Sequence, residues 1–285
     1  MVRDLSQRMD ICSINTATLG FQASIGEVID AIARAGFGMI SPWRRDTKDK
    51  DVAAVAKQIR DSGLKLSGYC RSPYLPAATK QQYRANIEEN KRAIDDAAVL
   101  GAPVFIMVVG SLPEGSKDLE GARRQVRDAC AELLEHGRKV GVKIGLEPLH
   151  PVYAAERSCL TLLSEALEWC EAIEGATASP QIGTVIDCYH VWWDPNLFRD
   201  IRRAGASGRI FGFHVCDWLV PTTDVLSDRG MMGDGIINIP SIRAAIESTG
   251  YSGAAEVEIF SAENWWKRPM AETLSVCRDR FKTST

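Results

Sequence analysis

The chain has 285 residues, 45% of them hydrophobic and 25% charged, enough to bury a sizeable core and long for one domain unless that domain is an α/β barrel. Its net charge of −3 and pI near 5.9 offer no attraction to phosphate backbones or anionic lipid surfaces, which disfavours nucleic acid as a partner. The amino-terminal stretch MVRDLSQRMD lacks the apolar core of a signal peptide, and no apolar run approaches the roughly 20 residues that span a bilayer, so a soluble, cytoplasmic protein with no membrane partner is expected.

Strands and helices alternate from the start. MDICSINTATL reads as a first strand that loses its apolar pattern near Asn15. In the helix that follows, Ser24 and Glu27 make a capping box, Ile25, Val28, Ile29 and Ile32 form one apolar stripe, and Gly36 is placed to end it. FGMISPW is the second strand, with Trp43 and Arg44 just past its end. A helix over residues 50–62 leads to LKLSGYC, the third strand, followed by Arg71 and the proline-bearing loop SPYLP. A long helix to Leu100 precedes VFIMVVG, an unbroken apolar run of the kind that parallel sheets bury on both faces.

The second half keeps this rhythm. Val126, Cys130, Leu133 and Leu134 mark the helix before the fifth strand, KIGLE, and Leu163, Leu167 and Cys170 the helix after it. IGTVID is the sixth strand, residues 195–204 a short helix, RIFGFHV the seventh strand, 242–249 a helix, AAEVEIF the eighth strand and 264–281 the last helix. Eight strand–helix units with no linker predict a single-domain (β/α)8 TIM barrel over residues 1–285. A doubly wound sheet would want a Gly-rich turn after its first strand, and NTATLG does not supply one. The eight cysteines are scattered, with no C-x-x-C pair, as reduced buried thiols are.

The last four strands each deliver one metal-type ligand near the carboxyl end, where barrels build their active sites: Glu147, Asp187, His214 and Glu258. Strand periodicity puts Lys143, Gly145 and Glu147 on one face, as it does Ile210, Gly212 and His214, and Glu256, Glu258 and Phe260. The small residues beneath Glu147 and His214 are expected to leave room around them. Three carboxylates and an imidazole in one pocket call for a cation between them. Oxygens with one nitrogen suit Mn²⁺, with Co²⁺ or Mg²⁺ as alternatives, better than a thiolate-loving ion. Cys188 and Cys216 flank ligands but read as packing.

LEPLHP, VIDCYHVWWDP, FHVCDW, DRGMMGDGIINIPSIRAAIESTGYSG and VEIF resemble the xylose isomerase-like TIM-barrel superfamily, the sugar phosphate isomerase/epimerase and endonuclease IV group, chiefly over Lys143 to Trp266. The resemblance implies that Glu147, Asp187, His214 and Glu258 bind one divalent metal, that His190 and Arg229 touch substrate, and that the two glutamates move protons. His190 reads alternatively as a capping or packing histidine, and His150 either as a general acid/base or as a loop residue fixed between Pro148 and Pro151. Arg71 is a further candidate substrate contact. Six tryptophans, Trp43, Trp192, Trp193, Trp218, Trp265 and Trp266, fall just past strand ends, forming an expected aromatic rim. Such a rim, with Trp43, Trp192 and Trp218 as candidate contacts, suits sugar rings and equally the interface of a homo-oligomer.

The activity expected is that of a metal-dependent isomerase or epimerase of a sugar or keto-sugar, abstracting the proton next to a carbonyl held by the ion. A lyase, dehydrating or deglycosylating a keto-sugar with His150 as acid or base, shares that first step. An endonuclease IV-like repair enzyme ranks last, because a trinuclear zinc site needs more than the four histidines present.

Overall fold

In the computed structural model, which describes residues 2–285, the predicted alternation closes into a barrel. The strands are β1 (Cys12–Asn15), β2 (Met39–Ser41), β3 (Lys65–Leu66), β4 (Tyr69–Cys70), β5 (Val104–Met107), β6 (Lys143–Leu146), β7 (Ile182–Asp187) and β8 (Ile210–Val215). A two-stranded excursion, β9 (Asp217–Trp218) with β10 (Arg229–Gly230), precedes β11 (Ala255–Val257). The main sheet runs β3-β2-β1-β11-β8-β7-β6-β5-β4, all parallel.

Its two end strands, β3 and β4, are halves of one predicted strand, LKLSGYC. The run bends at Ser67 and Gly68, so Lys65–Leu66 pairs with β2 and Tyr69–Cys70 with β5. The bend has two local causes. A Cβ at Gly68 would stand 2.8 Å from Ile106 Cδ1, so only glycine lets the chain pass so close. Ser67 meanwhile turns its hydroxyl into the barrel toward Glu256 at 2.7 Å. The Cys70 N–H then donates to Pro42 O at 3.1 Å, which draws the two ends of the sheet together.

Ten helices, α1 (Ile25–Arg34), α2 (Arg44–Thr47), α3 (Val52–Asp61), α4 (Lys80–Leu100), α5 (Leu119–Val140), α6 (Leu163–Glu174), α7 (Cys188–Val191), α8 (Leu197–Ala206), α9 (Ile239–Ser248) and α10 (Met270–Thr283), complete the described residues. The Ser24–Glu27 capping box starts α1 as expected. The first strand is shorter than its apolar run, because Met9–Ile11 and Thr16–Leu19 coil into 3₁₀ turns on either side. The last helix is also shorter. Pro269 cannot continue a helical turn through 264–281, and a 3₁₀ turn at Trp265–Lys267 precedes α10. Among the described residues no helix is long and apolar enough to cross a membrane, and all eight cysteines are free and buried.

The expectation of open space beneath Glu147 and His214 does not hold. A Cβ at Gly145 would meet Val185 at 2.8 Å, and one at Gly212 would meet it at 3.1 Å. The two glycines make way for the Val185 side chain, which fills the barrel layer under the site at crystal-like density.

Candidate active site

Four strands that lie side by side in the sheet, β6, β7, β8 and β11, bring Glu147, Asp187, His214 and Glu258 together. All four are buried, and one ligand atom from each lies within 4.8 Å of the others. Two of them are also held by hydrogen bonds from outside the group. Asp187 Oδ1 accepts the Tyr189 N–H at 2.8 Å, capping α7. Glu258 Oε1 accepts from Asn15 Nδ2 at 3.0 Å and Trp43 Nε1 at 3.3 Å. Below them Glu256 binds Asn15 at 2.9 Å and Ser67, and it stands 3.4 Å from His214 Nε2, the carboxylate-behind-histidine arrangement that orients metal-binding imidazoles.

The quartet passes a direct test of fit to a cation. His214 Nδ1 and Glu147 Oε1 are 3.0 Å apart, yet both are buried without a hydrogen-bond partner, because the ring nitrogen does not aim an N–H at the oxygen. Two such atoms facing one centre are costly when left bare and are satisfied together by a positive ion.

The electrostatics agree. Burial lifts the Glu147 carboxyl to about 7, against the pull of His214. Burial also lifts Asp187, opposed by Arg229. Burial works against a charged His214, but Glu256, Glu147 and Glu258 outweigh it and hold the imidazole well above its ordinary range. Glu258 feels burial too, and His214, Arg229 and Trp43 still bring it below the usual carboxylate range. Protons on Glu147 and His214 thus offset charge that a divalent cation would offset instead, and binding one would release them.

Arg229 reaches this cluster from β10. Its Nη1 lies 3.2 Å from Asp187 Oδ2 and 3.4 Å from Glu258 Oε2, and its guanidinium is held between the rings of Tyr189 and Phe260 at 4.4 and 4.6 Å. Burial and the neighbouring Arg229 keep His190 well below its ordinary range, hence neutral. Its Nδ1 accepts the His150 N–H at 3.2 Å, and its Nε2 faces Arg229 Nη2 at 3.3 Å and Asp187 Oδ2 at 3.5 Å.

Trp43, Arg71, Glu147, His190, Arg229, Glu258 and Phe260 line one pocket, joined by residues the sequence did not single out: Cys70, Tyr153, Arg157 and Leu226. Asn15 was visible as the point where the first strand loses its apolar pattern, whereas Arg157 lies in an irregular loop with no signal. The structure does not bring His150, Trp192 or Trp218 to the pocket wall. His150 Nδ1 accepts the Val152 N–H at 3.2 Å and its ring packs 4.9 Å from Trp218, while Trp218 stacks on Tyr189 at 4.6 Å. The rim is therefore two clusters: Trp43, Phe21, Phe260 and Trp266 on one side, and Trp218, Trp192, Trp193, Tyr189 and His150 on the other. A larger cavity of about 410 Å³, with Lys143, Phe211 and Tyr251 in its wall, brings no acid–base pair together.

Residues 29–280 match the family model described as xylose isomerase-like TIM barrel. Inosose isomerase of Halalkalibacterium halodurans is 27% identical over 200 residues, covering 69% of this chain and 67% of that protein. L-ribulose 3-epimerase of Mesorhizobium japonicum is 26% identical over 265 residues, covering 90% and 82%. The crystal structure of a Sinorhizobium meliloti 1021 protein, 45% identical, superposes with a TM-score of 0.93 over 97% of this chain and 99% of that one. The family-model match runs through every strand from β2 to β11 and includes all four clustered ligands, and the chain belongs to the xylose isomerase-like TIM-barrel family.

Proposed function

We propose that this protein is an isomerase or epimerase of a sugar or keto-sugar, dependent on a divalent metal ion, Mn²⁺ by preference, held by Glu147, Asp187, His214 and Glu258. The observation that carries the reading is the buried quartet with its unpartnered Glu147 and His214 atoms, and the activities of the two curated relatives support it. When bound, the ion would polarise a substrate carbonyl and acidify the neighbouring C–H.

The protein's own groups supply the rest. Glu258 is fixed by Asn15 and Trp43 and kept ionised, so it takes the proton from the carbon next to the carbonyl. Glu147 is the second carboxylate of the pair and returns a proton to that carbon. Arg229 donates to a substrate oxygen with His190 beside it, and the faces of Trp43 and Phe260 pack against the apolar side of the sugar. The lyase reading called on His150, whose Nδ1 is engaged in its own loop, and this favours isomerisation. The enclosed space is only about 20 Å³, room for a single water. The segment bearing Leu226 in the pocket wall is tied down where Tyr153 and Tyr189 both donate to Val225 O.

The test is turnover of a keto-sugar panel in deuterated water by chelator-stripped and Mn²⁺-reloaded protein. Reloaded protein places deuterium on the carbon beside the carbonyl, stripped protein does not, and Glu258→Gln loses the exchange while keeping its melting temperature. Turnover of a substrate that keeps all of its α-hydrogen would refute proton abstraction by these glutamates.

A further inference from the structure

Most buried arginines of this protein stand against a carboxylate. Arg209 pairs with Glu174, Arg229 with Asp187 and Glu258, and Arg243 with Glu247. Two half-buried arginines in the pocket wall do not. Arg157 makes no side-chain hydrogen bond or ion pair among the described residues and lies 5.7 Å from the Tyr153 ring. Arg71 rests 4.7 Å from the Tyr74 ring and 5.8 Å from Trp43. Its one hydrogen bond to protein is a long 3.4 Å contact from Nη1 to Ser72 O, and its Nε is buried without a partner.

The loops that carry these arginines follow β4 and β6, on either side of β5, so both enter one sector of the barrel mouth. Beside that sector lies an annex of about 420 Å³ that shares Trp43 and Arg71 with the pocket; its other cations, Arg44, Lys48 and Arg45, stand against Glu89 and Asp46, which leaves Arg71 the one without a carboxylate. Withdrawing guanidinium groups from water without a counter-charge is unfavourable, and their planar forks match oxyanions.

We propose that Arg71 and Arg157 bind an anionic group, a carboxylate or a phosphate, at the end of the substrate remote from its carbonyl. The inference rests on the keto-sugar reading above and narrows it to acidic sugars. The sugar backbone runs from Glu147 and Glu258 past Trp43, and its charged end reaches the annex.

The experiment uses Mn²⁺-loaded protein and a panel of short-chain ketoses, each presented as the neutral sugar, its terminal phosphate ester and its terminal carboxylate. Calorimetric binding at low and high salt is read beside α-deuterium exchange. The best charged form is expected to bind about tenfold or more tighter than its neutral counterpart, with a preference that shrinks in salt. The arm that gains identifies the group. Arg71→Gln and Arg157→Gln each remove most of that preference and keep the melting temperature, while Arg71→Lys restores part of it. A neutral sugar that binds as tightly as both charged forms, or a charge preference that survives both substitutions, overturns the inference. Exchange with neutral sugars alone overturns it while leaving the isomerase standing. Binding of no ketose in any form removes the isomerase reading and this inference together.

Discussion

Asp217 follows the His214 strand by two residues and is fully buried. Its Oδ1 accepts the N–H groups of Trp218 and Ile237 and its Oδ2 those of Gly233 and Gly235, each at 2.9 Å. One carboxylate thereby ties both ends of the segment that carries Arg229 to the metal-type ligands. In Asp217→Ala the buried Ile237 donor is left bare at a cost of about 1–3 kcal/mol, and the three partly buried donors add about 0.5–1 kcal/mol each, since water reaches them in part. The total is roughly 3–6 kcal/mol, a fall in melting temperature of about 6–20 °C for a chain of this size. Asp217→Asn should lose at least half as much, because its amide would turn an N–H pair toward two N–H donors. Thermal melts followed by circular dichroism read the stability, and amide exchange at Gly233, Gly235 and Ile237 reads the segment itself. Asp217→Ala that melts within about 2 °C of the parent, with those amides still protected, would refute the reasoning.

Glu174→Gln removes the partner of Arg209, both side chains being 2% exposed, and should cost about 3–5 kcal/mol in urea titrations because the buried guanidinium then keeps only carbonyl partners; a loss under about 1 kcal/mol would contradict that. Glu132 is held down to about 2 by its hydrogen bonds to Arg84 and Lys91. A carboxyl lowered in the folded state contributes stability above its unfolded value near 4.5 and loses it as the pH falls toward 2. With a side chain 35% exposed, the solvent-screened contribution is about 0.5–1 kcal/mol. Melting curves of the parent and Glu132→Gln should therefore converge as the pH drops through that window, and parallel curves would remove the pair from the account.

The barrel was legible because its helices and strands obey two different periods in strict alternation. The ligand set was legible for the opposite reason: an acid or a histidine inside an apolar strand breaks the pattern that burial imposes, as Glu147, Asp187, His214 and Glu258 each do. What periodicity does not encode is which side chain fills a given volume. Gly145 and Gly212 looked like open space, and the space belongs to Val185 from the neighbouring strand. Nor does it encode where an irregular loop points. His150 and Arg157 sit in the same connection, yet the first turns back onto Val152 and Trp218 while the second enters the pocket.

The sheet order explains why the two kinds of residue differ in legibility. β6, β7, β8 and β11 are neighbours and supply all four residues of the buried cluster, so one contiguous half of the barrel is specified by charge buried in strands. The other half, β1 to β5, contributes Asn15, Trp43, Cys70 and Arg71, which act from strand ends and loops and bring no buried carboxylate or imidazole to the quartet. Asn15 joins the halves: its single amide nitrogen donates to Glu256 at 2.9 Å and to Glu258 at 3.0 Å, across the β1–β11 seam. Because that amide can donate only two hydrogens, both are committed, and the orientation of Glu258 depends on the closure of the barrel as much as on its own strand. A substitution at Arg71 therefore leaves the quartet undisturbed so long as the Asn15 contact survives, whereas one at Trp43 removes a donor to Glu258.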